Sequence, residues 1–357
     1  MTHNFPKSIR SLRWLSMGII ATGFVMKLFF LLSLLFASLS NAGHSAWEAG
    51  ATTFTSEWIH IDPSFDFPTW PHETIRYYFN TPQMKTEFAN DIRAAWQLWY
   101  AAGLPETFRF IEYSRTRCEA APDDCLLIIA EYGAPSFFTS LGRQRIDPWD
   151  RNVMYLAFEG TEDEHDKALI IAHEIGHAWG LLHEHQNPLF WQWAFRGTRS
   201  DSLVQFYCEN VLGFDEVEHE FNNTLLLWAE DGPCRDQARA YEFGFLASEM
   251  IPWGPRYQQP HRLWPHDYDV DWDSIMIYES HSFGADDEHG NKQLTLVRTK
   301  DLQVIPEPGT VTELDVFGML HLYHPRYGKF REVFHNDPTS AWYAVFKDKI
   351  KNCLIKT

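Results

Sequence analysis

One segment of the 357-residue chain combines residue types that bind a metal ion with one that can activate water. It places His173 and His177 four positions apart and has Glu174 directly after the first histidine. Residues four apart lie on one face of an α-helix, so both imidazoles can reach the same ion. The Glu174 carboxylate can then reach a metal-bound water without occupying the metal. The spacing therefore predicts a helical metal site with an adjacent general base.

A third histidine, His183, follows after Gly180, where the chain has to turn sharply to bring it back to the metal. Glycine has no Cβ and can adopt the positive φ that such a turn requires. Three neutral nitrogens and an open coordination position are typical of catalytic zinc. The alternative is a helix whose histidines only pack or face solvent, but composition alone produces the HExxH pattern with a probability on the order of 10⁻⁴. The pattern predicts one catalytic Zn²⁺ held by the three histidines.

A second segment downstream, Ser274-Ile275-Met276-Ile277-Tyr278, by itself would be read as an ordinary buried turn. Together with HExxHxxGxxH it resembles the metzincin zinc peptidases, in which a turn carries a methionine beneath the zinc site. Because His183 is followed by Glu184, and Met276 is followed two positions later by Tyr278, the chain most resembles the astacin family. The resemblance implies that Tyr278 is an additional zinc ligand. It would leave the metal as substrate binds and donate a hydrogen bond to the oxyanion.

Weaker matches extend the resemblance over roughly residues 70–323. Residues 139–143 resemble the family's edge-strand segment, with which an extended substrate pairs. Residues 204–210 resemble the helix that follows the zinc motif in fungal-type secreted members, whereas 187–190 depart from the Arg and Asp positions common after the third histidine. Glu184 matches the residue that meets the new N-terminus after removal of a pro-segment, and the alternative is a solvated side chain.

The resemblance implies a secreted zinc-dependent endopeptidase that acts on protein or peptide substrates. Hydrolysis would proceed through a zinc-bound water with Glu174 as general base, while Zn²⁺ and Tyr278 stabilise the oxyanion. A serralysin-like or other metzincin peptidase is the main alternative. A catalytically inactive secreted zinc-containing binding module and a membrane-anchored ectodomain protease are two more.

Strands and helices that interleave along the chain would position these residues. Aromatic and β-branched runs predict strands over 74–80, 107–113, 125–130 and 152–158, and apolar stripes predict helices over 83–102, 166–179 and, after Thr312, 314–322. Residues 186–272 are predicted to be irregular, with one helix at about 201–212. The fold implied by resemblance is α+β and two-lobed. A twisted mixed sheet and the zinc helix form the N-terminal lobe, and a mostly irregular C-terminal lobe holds the Met turn and a final helix.

Residues 1–42 contain no acidic residue and end in small residues at Ala42 after an apolar run. This layout is typical of a signal peptide, with Met26 as an alternative start. An uncleaved anchor, the only predicted route to a membrane, is disfavoured by Lys27 in the middle of the run. The remaining chain divides into an N-terminal extension or short pro-segment (43–68), a catalytic domain (69–326) and a C-terminal tail (327–357).

The formal net charge of −18 argues against nucleic acid as a partner, because an acidic surface repels phosphate backbones. The acidity is concentrated in residues 43–326, which hold 45 acidic and 20 basic residues. These charges would favour cationic peptides only if they line the cleft.

Five cysteines in an exported chain allow fifteen different sets of two disulfides. Pairing of near neighbours is the simplest, and it predicts Cys118–Cys125 and Cys208–Cys234 with Cys353 unpaired. Histidines outside the metal motif, His185 and His321 among them, are predicted to be surface or packing residues.

Overall fold

The computed structural model describes much of residues 52–324, and all of the described residues belong to one compact unit, Ala42–Thr357. The described ranges are 52–54, 59–61, 68–133, 136–144, 151–191, 202–221, 224–229, 231–252, 267 and 270–324. The predicted signal peptide, the C-terminal tail and Cys353 lie outside the described residues, as does most of the predicted extension.

A five-stranded mixed sheet forms the first part of the fold. The strands before and within it are β1 (Thr52–Phe54), β2 (Ile59–Ile61), β3 (Thr74–Phe79), β4 (Arg109–Glu112), β5 (Cys125–Tyr132), β6 (Ser136–Thr139) and β7 (Asn152–Phe158). The main sheet has the order β4-β3-β5-β7-β6, while β1 and β2 form a separate antiparallel pair. All neighbours in the main sheet are parallel except β6, which runs antiparallel to β7 at the edge.

Seven helices are found in the described part of the chain. They are α1 (Pro82–Ala101), α2 (Arg115–Ala120), α3 (Glu164–Trp179), α4 (Phe214–Phe221), α5 (Thr224–Leu227), α6 (Gln237–Glu242) and α7 (Glu313–Tyr323). α1 begins after Thr81, whose hydroxyl accepts from Met84 N at 3.2 Å. α3 begins after Asp163, whose carboxylate accepts from His165 N and Asp166 N at 2.8 and 2.9 Å. Both caps satisfy amides that have no partner inside the helix.

The helices α1 and α3 pack together with the main sheet around the larger hydrophobic core. The buried face of α1 consists of Phe88, Ile92, Ala95, Trp96 and Trp99, the stripe that predicted this helix. The indole Nε1 of Trp99 donates to Ala172 O on α3 at 3.1 Å, so the two helices are also joined by a buried hydrogen bond. This core fixes α3, which carries the first two histidines of the motif.

A second hydrophobic cluster collects residues between Phe190 and Ile305. Here β8 (Val204–Phe206) pairs antiparallel with β9 (Leu296–Arg298), and the short helices α4, α5 and α6 contribute buried residues to the same cluster. The helix predicted at about 201–212 is therefore wrong. Val204 and Phe206 alternate into the core as strand residues do, and Cys208 starts a single 3₁₀ turn.

The prediction of an α+β fold with a mixed sheet is confirmed, and so is the final helix. α7 begins with a capping box in which Thr312 accepts from Asp315 N at 3.0 Å and Asp315 accepts from Thr312 N at 2.8 Å. The predicted strands and the first two helices agree with the structure to within a few residues at each end. Interleaved strand and helix periodicities were thus sufficient to locate these particular elements.

The strand β2 lies against the loop that joins the second and third histidines of the motif. Ile61 N donates to Gly180 O at 2.9 Å, and Leu182 N donates to Ile59 O at 3.0 Å. All three residues of β2 are buried. Part of the segment predicted as an extension or pro-segment is therefore a packed component of the fold in this structure.

Two disulfides occur in the described part of the chain, Cys118–Cys125 and Cys208–Cys234. Both are the pairs predicted from sequence proximity. The second closes a loop within the second hydrophobic cluster. No helix of the described ranges is both long and apolar enough to cross a membrane.

Candidate metal centre and its surroundings

The three histidines of the motif converge on one point. His173 and His177 project from the last turns of α3, and His183 returns from the loop that follows it. The Nε2 atom of His177 lies 3.0 Å from Nε2 of His173 and 3.0 Å from Nε2 of His183. Together they form a group of side chains that could hold a metal ion.

Hydrogen bonds on the far side of two rings fix the tautomers. His173 Nδ1 contacts Ile275 O at 2.7 Å, and His177 Nδ1 contacts Leu181 O at 2.8 Å. A carbonyl oxygen can only accept, so each Nδ1 must carry the proton and each Nε2 must present a lone pair. This arrangement orients metal-ligating histidines.

The third ring is oriented by a side chain, Gln186. Its Nε2 donates to Ser248 O and Ile251 O, both at 3.2 Å, and these two carbonyls fix the orientation of the amide. The Gln186 Oε1 is thereby left to accept from His183 Nδ1 at 3.1 Å. No sequence pattern indicates this role, because it depends on contacts with residues more than sixty positions away.

The donor set fits a metal cation. With both Nδ1 atoms protonated, the 3.0 Å approaches between Nε2 atoms cannot be hydrogen bonds, because neither atom carries a proton. Burial lowers the pKa of His173 to about 4 and that of His183 well below its usual value, so the rings stay neutral near pH 7. Three neutral nitrogens aimed at one point are the donors that catalytic zinc takes. The prediction of a single zinc site is thus supported by the chemistry of the residues present.

Two glycines let the chain come together at this centre. Gly180 has φ 107°, and a Cβ there would lie 2.9 Å from carbons of Ile61, so both the turn and the packing of β2 require glycine. Gly176 lies between the first two histidines, and a Cβ there would overlap the sulfur of Met276. The structure thus places the predicted Met floor directly against α3.

The Met turn is anchored by a buried carboxylate. Asp315 on α7 accepts from Ser274 Oγ at 2.5 Å and from Ile275 N at 3.0 Å. The carbonyl of Ile275 in turn accepts from His173 Nδ1. A continuous chain of hydrogen bonds therefore links α7 through the Met turn to the first histidine.

A second carboxylate, Asp271, lies beside this anchor and accepts from Thr312 Oγ1 at 2.5 Å. Burial, and next the negative charge of Asp315, raise the pKa of Asp271 from 3.8 to about 6. A pKa raised in the folded state means that folding favours the protonated acid. The resulting contribution to stability is present below pH 4 and is lost as the pH rises through about 6.

We therefore expect Asp271→Asn, which keeps an oxygen acceptor without the charge, to stabilise the protein at pH 7.5 but not at pH 4. The shift corresponds to about 3 kcal/mol at the higher pH. Urea unfolding at the two pH values measures the difference, with the exposed Asp301→Asn as control. An equal effect of Asp271→Asn at both pH values would contradict the assignment.

Glu174 lies at the centre with an unsatisfied carboxylate. Its side chain is 6% exposed, and its Oε2 has no hydrogen-bond partner among the described residues. Burial raises the pKa of Glu174 to about 7, and the nearby Thr139 hydroxyl offsets this in part. No hydrogen bond of standard geometry joins the two groups, and Thr139 Oγ1 is also without a partner in the described part of the chain. Two buried oxygens are thus left for water or a bound molecule.

Tyr278 is the other predicted site residue, and the structure places its ring beside the histidines. The ring centroid lies 4.3 Å from that of His183 and 6.1 Å from that of His173. Burial raises the pKa of Tyr278 well above its usual value, and the charges of Glu249 and then Glu174 raise it further. The phenol therefore keeps its proton near pH 7 in the absence of metal.

His185 holds Tyr278 in place, a role that the sequence did not indicate. Its Nδ1 accepts from Tyr278 N at 3.3 Å, its Nε2 donates to Glu249 O at 2.9 Å, and its ring stacks on Tyr278 at 4.5 Å. His185 was predicted to be a surface or a packing residue, and it is a packing residue because its side chain is fully buried. Glu184 is also buried, so its interpretation as a solvated side chain is wrong.

The segment expected to pair with substrate begins at the end of the edge strand. Only Thr139 of residues 139–143 belongs to β6, which is bonded to β7 on one side alone in the described sheet. The rest turns inward, with Gly142 N donating to His177 O at 2.8 Å and Arg143 paired with Asp124 at 2.5 Å. The edge strand of the described sheet is therefore β6, Ser136–Thr139.

The chain is similar to several solved structures. High choriolytic enzyme 1, a hatching-enzyme zinc-protease from the medaka fish Oryzias latipes, matches at 16% identity over 77% of this chain and 98% of its own, with a TM-score of 0.42. Two structures of myroilysin match at 16% and 14% identity, over 72% and 78% of this chain and 95% and 96% of theirs, each with a TM-score of 0.38. No family model and no curated protein matches the sequence.

Proposed function

We propose that this chain is a zinc-dependent endopeptidase, with His173, His177 and His183 as the zinc ligands and Glu174 as the general base. The observation that carries the proposal is the convergence of three Nε2 lone pairs beside a buried carboxylate with an unsatisfied oxygen. When bound, Zn²⁺ supplies a Lewis acid that polarises a carbonyl and acidifies a water molecule. The remaining steps fall to side chains of the protein.

Glu174 takes the proton of the attacking water and passes it to the nitrogen of the leaving amine. Burial raises the pKa of Glu174 to about 7 in the absence of metal, which supports an acid–base role because such a group must take up and release a proton. A bound cation would lower this pKa and favour the ionised base.

Tyr278 donates a hydrogen bond from its phenol to the oxyanion that forms on the scissile carbonyl, and its oxygen would be an additional ligand of the metal before substrate arrives. Its contact with His183 and its raised pKa support this role, because a donor must keep its proton. His185 and the Met turn fix the backbone from which the phenol projects.

An extended protein or peptide substrate binds alongside the edge strand β6. Thr139, at the end of that strand, has its hydroxyl beside the general base. Backbone hydrogen bonds along an edge strand bind a substrate without reading its side chains, which suits an endopeptidase.

The finer assignment is an astacin-like, secreted enzyme with a cleaved signal peptide (1–42), a catalytic domain (69–326) and a C-terminal tail (327–357). The sequence motifs around His183 and Tyr278 support the subtype. Two disulfides support an oxidising compartment. N-terminal sequencing of exported protein tests the leader, and a start upstream of Ala42 would contradict it.

Purified protein incubated with unfolded casein tests the proposed activity. We expect cleavage that 1,10-phenanthroline abolishes and added zinc restores. If the metal-loaded protein binds zinc but leaves casein and gelatin intact after any pro-segment is trimmed, it is a binding module and the proposed function is wrong.

Tyr278→Phe should lower kcat while zinc remains bound at one ion per chain. The lost phenol removes one oxyanion donor, which typically costs about 10²–10³ in kcat. Steady-state kinetics with a quenched peptide and metal analysis on the same preparation measure both quantities. An unchanged kcat would remove Tyr278 from the mechanism.

A further inference from the structure

Glu249 is a buried carboxylate close to the candidate metal centre, and the mechanism above gives it no task. It ends a 3₁₀ turn, Leu246–Glu249, and its side chain is 6% exposed. A carboxylate this deeply buried is uncommon unless it is paired or coordinates a cation.

Three hydrogen bonds tie the Glu249 turn to the residues that follow the third histidine. His185 Nε2 donates to Glu249 O at 2.9 Å, and Gln186 Nε2 donates to Ser248 O and Ile251 O. The backbone of this turn therefore packs directly against the residues that follow the third ligand.

Stacked rings place Glu249 next to Tyr278. The His185 ring that donates to Glu249 O lies 4.5 Å from the Tyr278 ring, which lies 4.3 Å from His183. The negative charge of Glu249 raises the pKa of Tyr278, as a smaller cause than burial and a larger one than Glu174. Glu249 thus belongs to the surroundings of Tyr278, the proposed hydrogen-bond donor to the oxyanion.

Nothing in the described part of the chain neutralises this carboxylate. No Lys, Arg or His side chain there forms an ion pair with it, whereas the exposed Glu242 nearby is paired with Arg239 at 2.6 Å. Burial raises the pKa of Glu249 to about 7, and a hydrogen bond with Ser248 offsets this in part. A cation bound at this position would therefore favour the ionised carboxylate.

We propose that Glu249 is a specificity-determining residue that receives the cationic side chain of a lysine or arginine adjacent to the scissile bond. The inference rests on the proposed peptidase function and names the substrate class of the same site. Under this proposal, at least one of the many acidic residues of 43–326 lines the cleft.

The test is a binding experiment on zinc-loaded Glu174→Gln protein, which should hold peptides without turning them over. The ligands are pairs of nine-residue peptides that differ at one position, which is lysine in one peptide and norleucine in the other. From pair to pair this position is moved along the peptide. Isothermal titration calorimetry should give at least about tenfold tighter binding of the lysine peptide at one position. Glu249→Gln in this background should abolish that ratio, and the matched exposed variant Glu242→Gln should keep it.

The proposal would be overturned if the lysine and norleucine peptides bound with equal affinity or if neither bound. It would also be overturned if the preference for lysine survived Glu249→Gln. A fall of more than about 5 °C in Tm on Glu249→Gln would do so too, because it would show a structural acceptor rather than an unpaired charge. The casein assay distinguishes failure of the proposed subsite from failure of the proposed peptidase function. A lysine preference that depends on Glu249, found in a protein that never cleaves casein, upholds the subsite and refutes the peptidase.

Discussion

Glu174→Gln should abolish peptide hydrolysis while the protein keeps its fold and one zinc ion per chain. Glutamine has nearly the same shape but cannot accept a proton from water, so the general base is lost and the three histidines are untouched. Loss of general base catalysis alone costs about 10²–10⁴ in rate. Turnover of a quenched peptide, zinc content and Tm on the same preparation measure all three properties.

The same helix offers a matched control, since Glu164→Gln replaces an exposed carboxylate in the first turn of α3. That variant should keep its activity. A Glu174→Gln protein that retains near-normal turnover would refute the assignment of the base. An inactive variant that has also lost zinc or unfolded would show a structural role instead.

The pH dependence of the active enzyme provides a second check on the base. Glu174 has to be ionised to accept a proton, so kcat/KM should fall as the pH drops through its pKa. Burial raises this pKa to about 7 without metal, and the cation lowers it. We therefore expect the acid limb of the profile below pH 7.

The parts of the site that the sequence predicted are those whose geometry is local. His173 and His177 are four residues apart on one helix, and Gly180 supplies the turn that returns His183. These relations need only helical periodicity and the conformational freedom of glycine. The same locality explains why α1, α3 and α7 were predicted nearly to their ends.

The parts that the sequence did not predict depend on contacts between distant segments. Gln186 orients His183 only because carbonyls of residues 248 and 251 hold its amide, and Asp315 supports His173 only through the Met turn. No periodicity or motif encodes such contacts. The wrong helix at about 201–212 has the same origin, since pairing of β8 with β9 outweighs local propensity.

The strand β2 shows how such contacts change the view of the chain's domains. The composition of residues 43–68 predicts an extension. In the structure, however, Ile59 and Ile61 form backbone hydrogen bonds with the loop between the second and third histidines. Removal of the chain through Ile61 would expose Leu141, Leu182 and Leu322, which pack with β2 in one cluster. The metal loop and the N-terminal segment therefore stabilise each other.

Zinc should raise the melting temperature of the metal-free protein, and His177→Gln should abolish this effect. Without a cation the Nε2 lone pair of His177 is repelled by those of His173 and His183, each 3.0 Å away, and the unfolded chain has no preformed site to compete for the metal. A ligand at 1,000 times its Kd stabilises the folded state by about 4 kcal/mol. For a domain of this size that corresponds to a rise of about 10 °C.

Differential scanning fluorimetry of chelator-treated protein with and without zinc measures the shift. The control is His165→Gln, an exposed histidine in the first turn of the same helix, which should respond to zinc like the unmodified protein. A zinc response that persists in His177→Gln would place the metal elsewhere and exclude the triad as its site. Because the readout is stability, this result bears on the metal centre whether or not any peptide is cleaved.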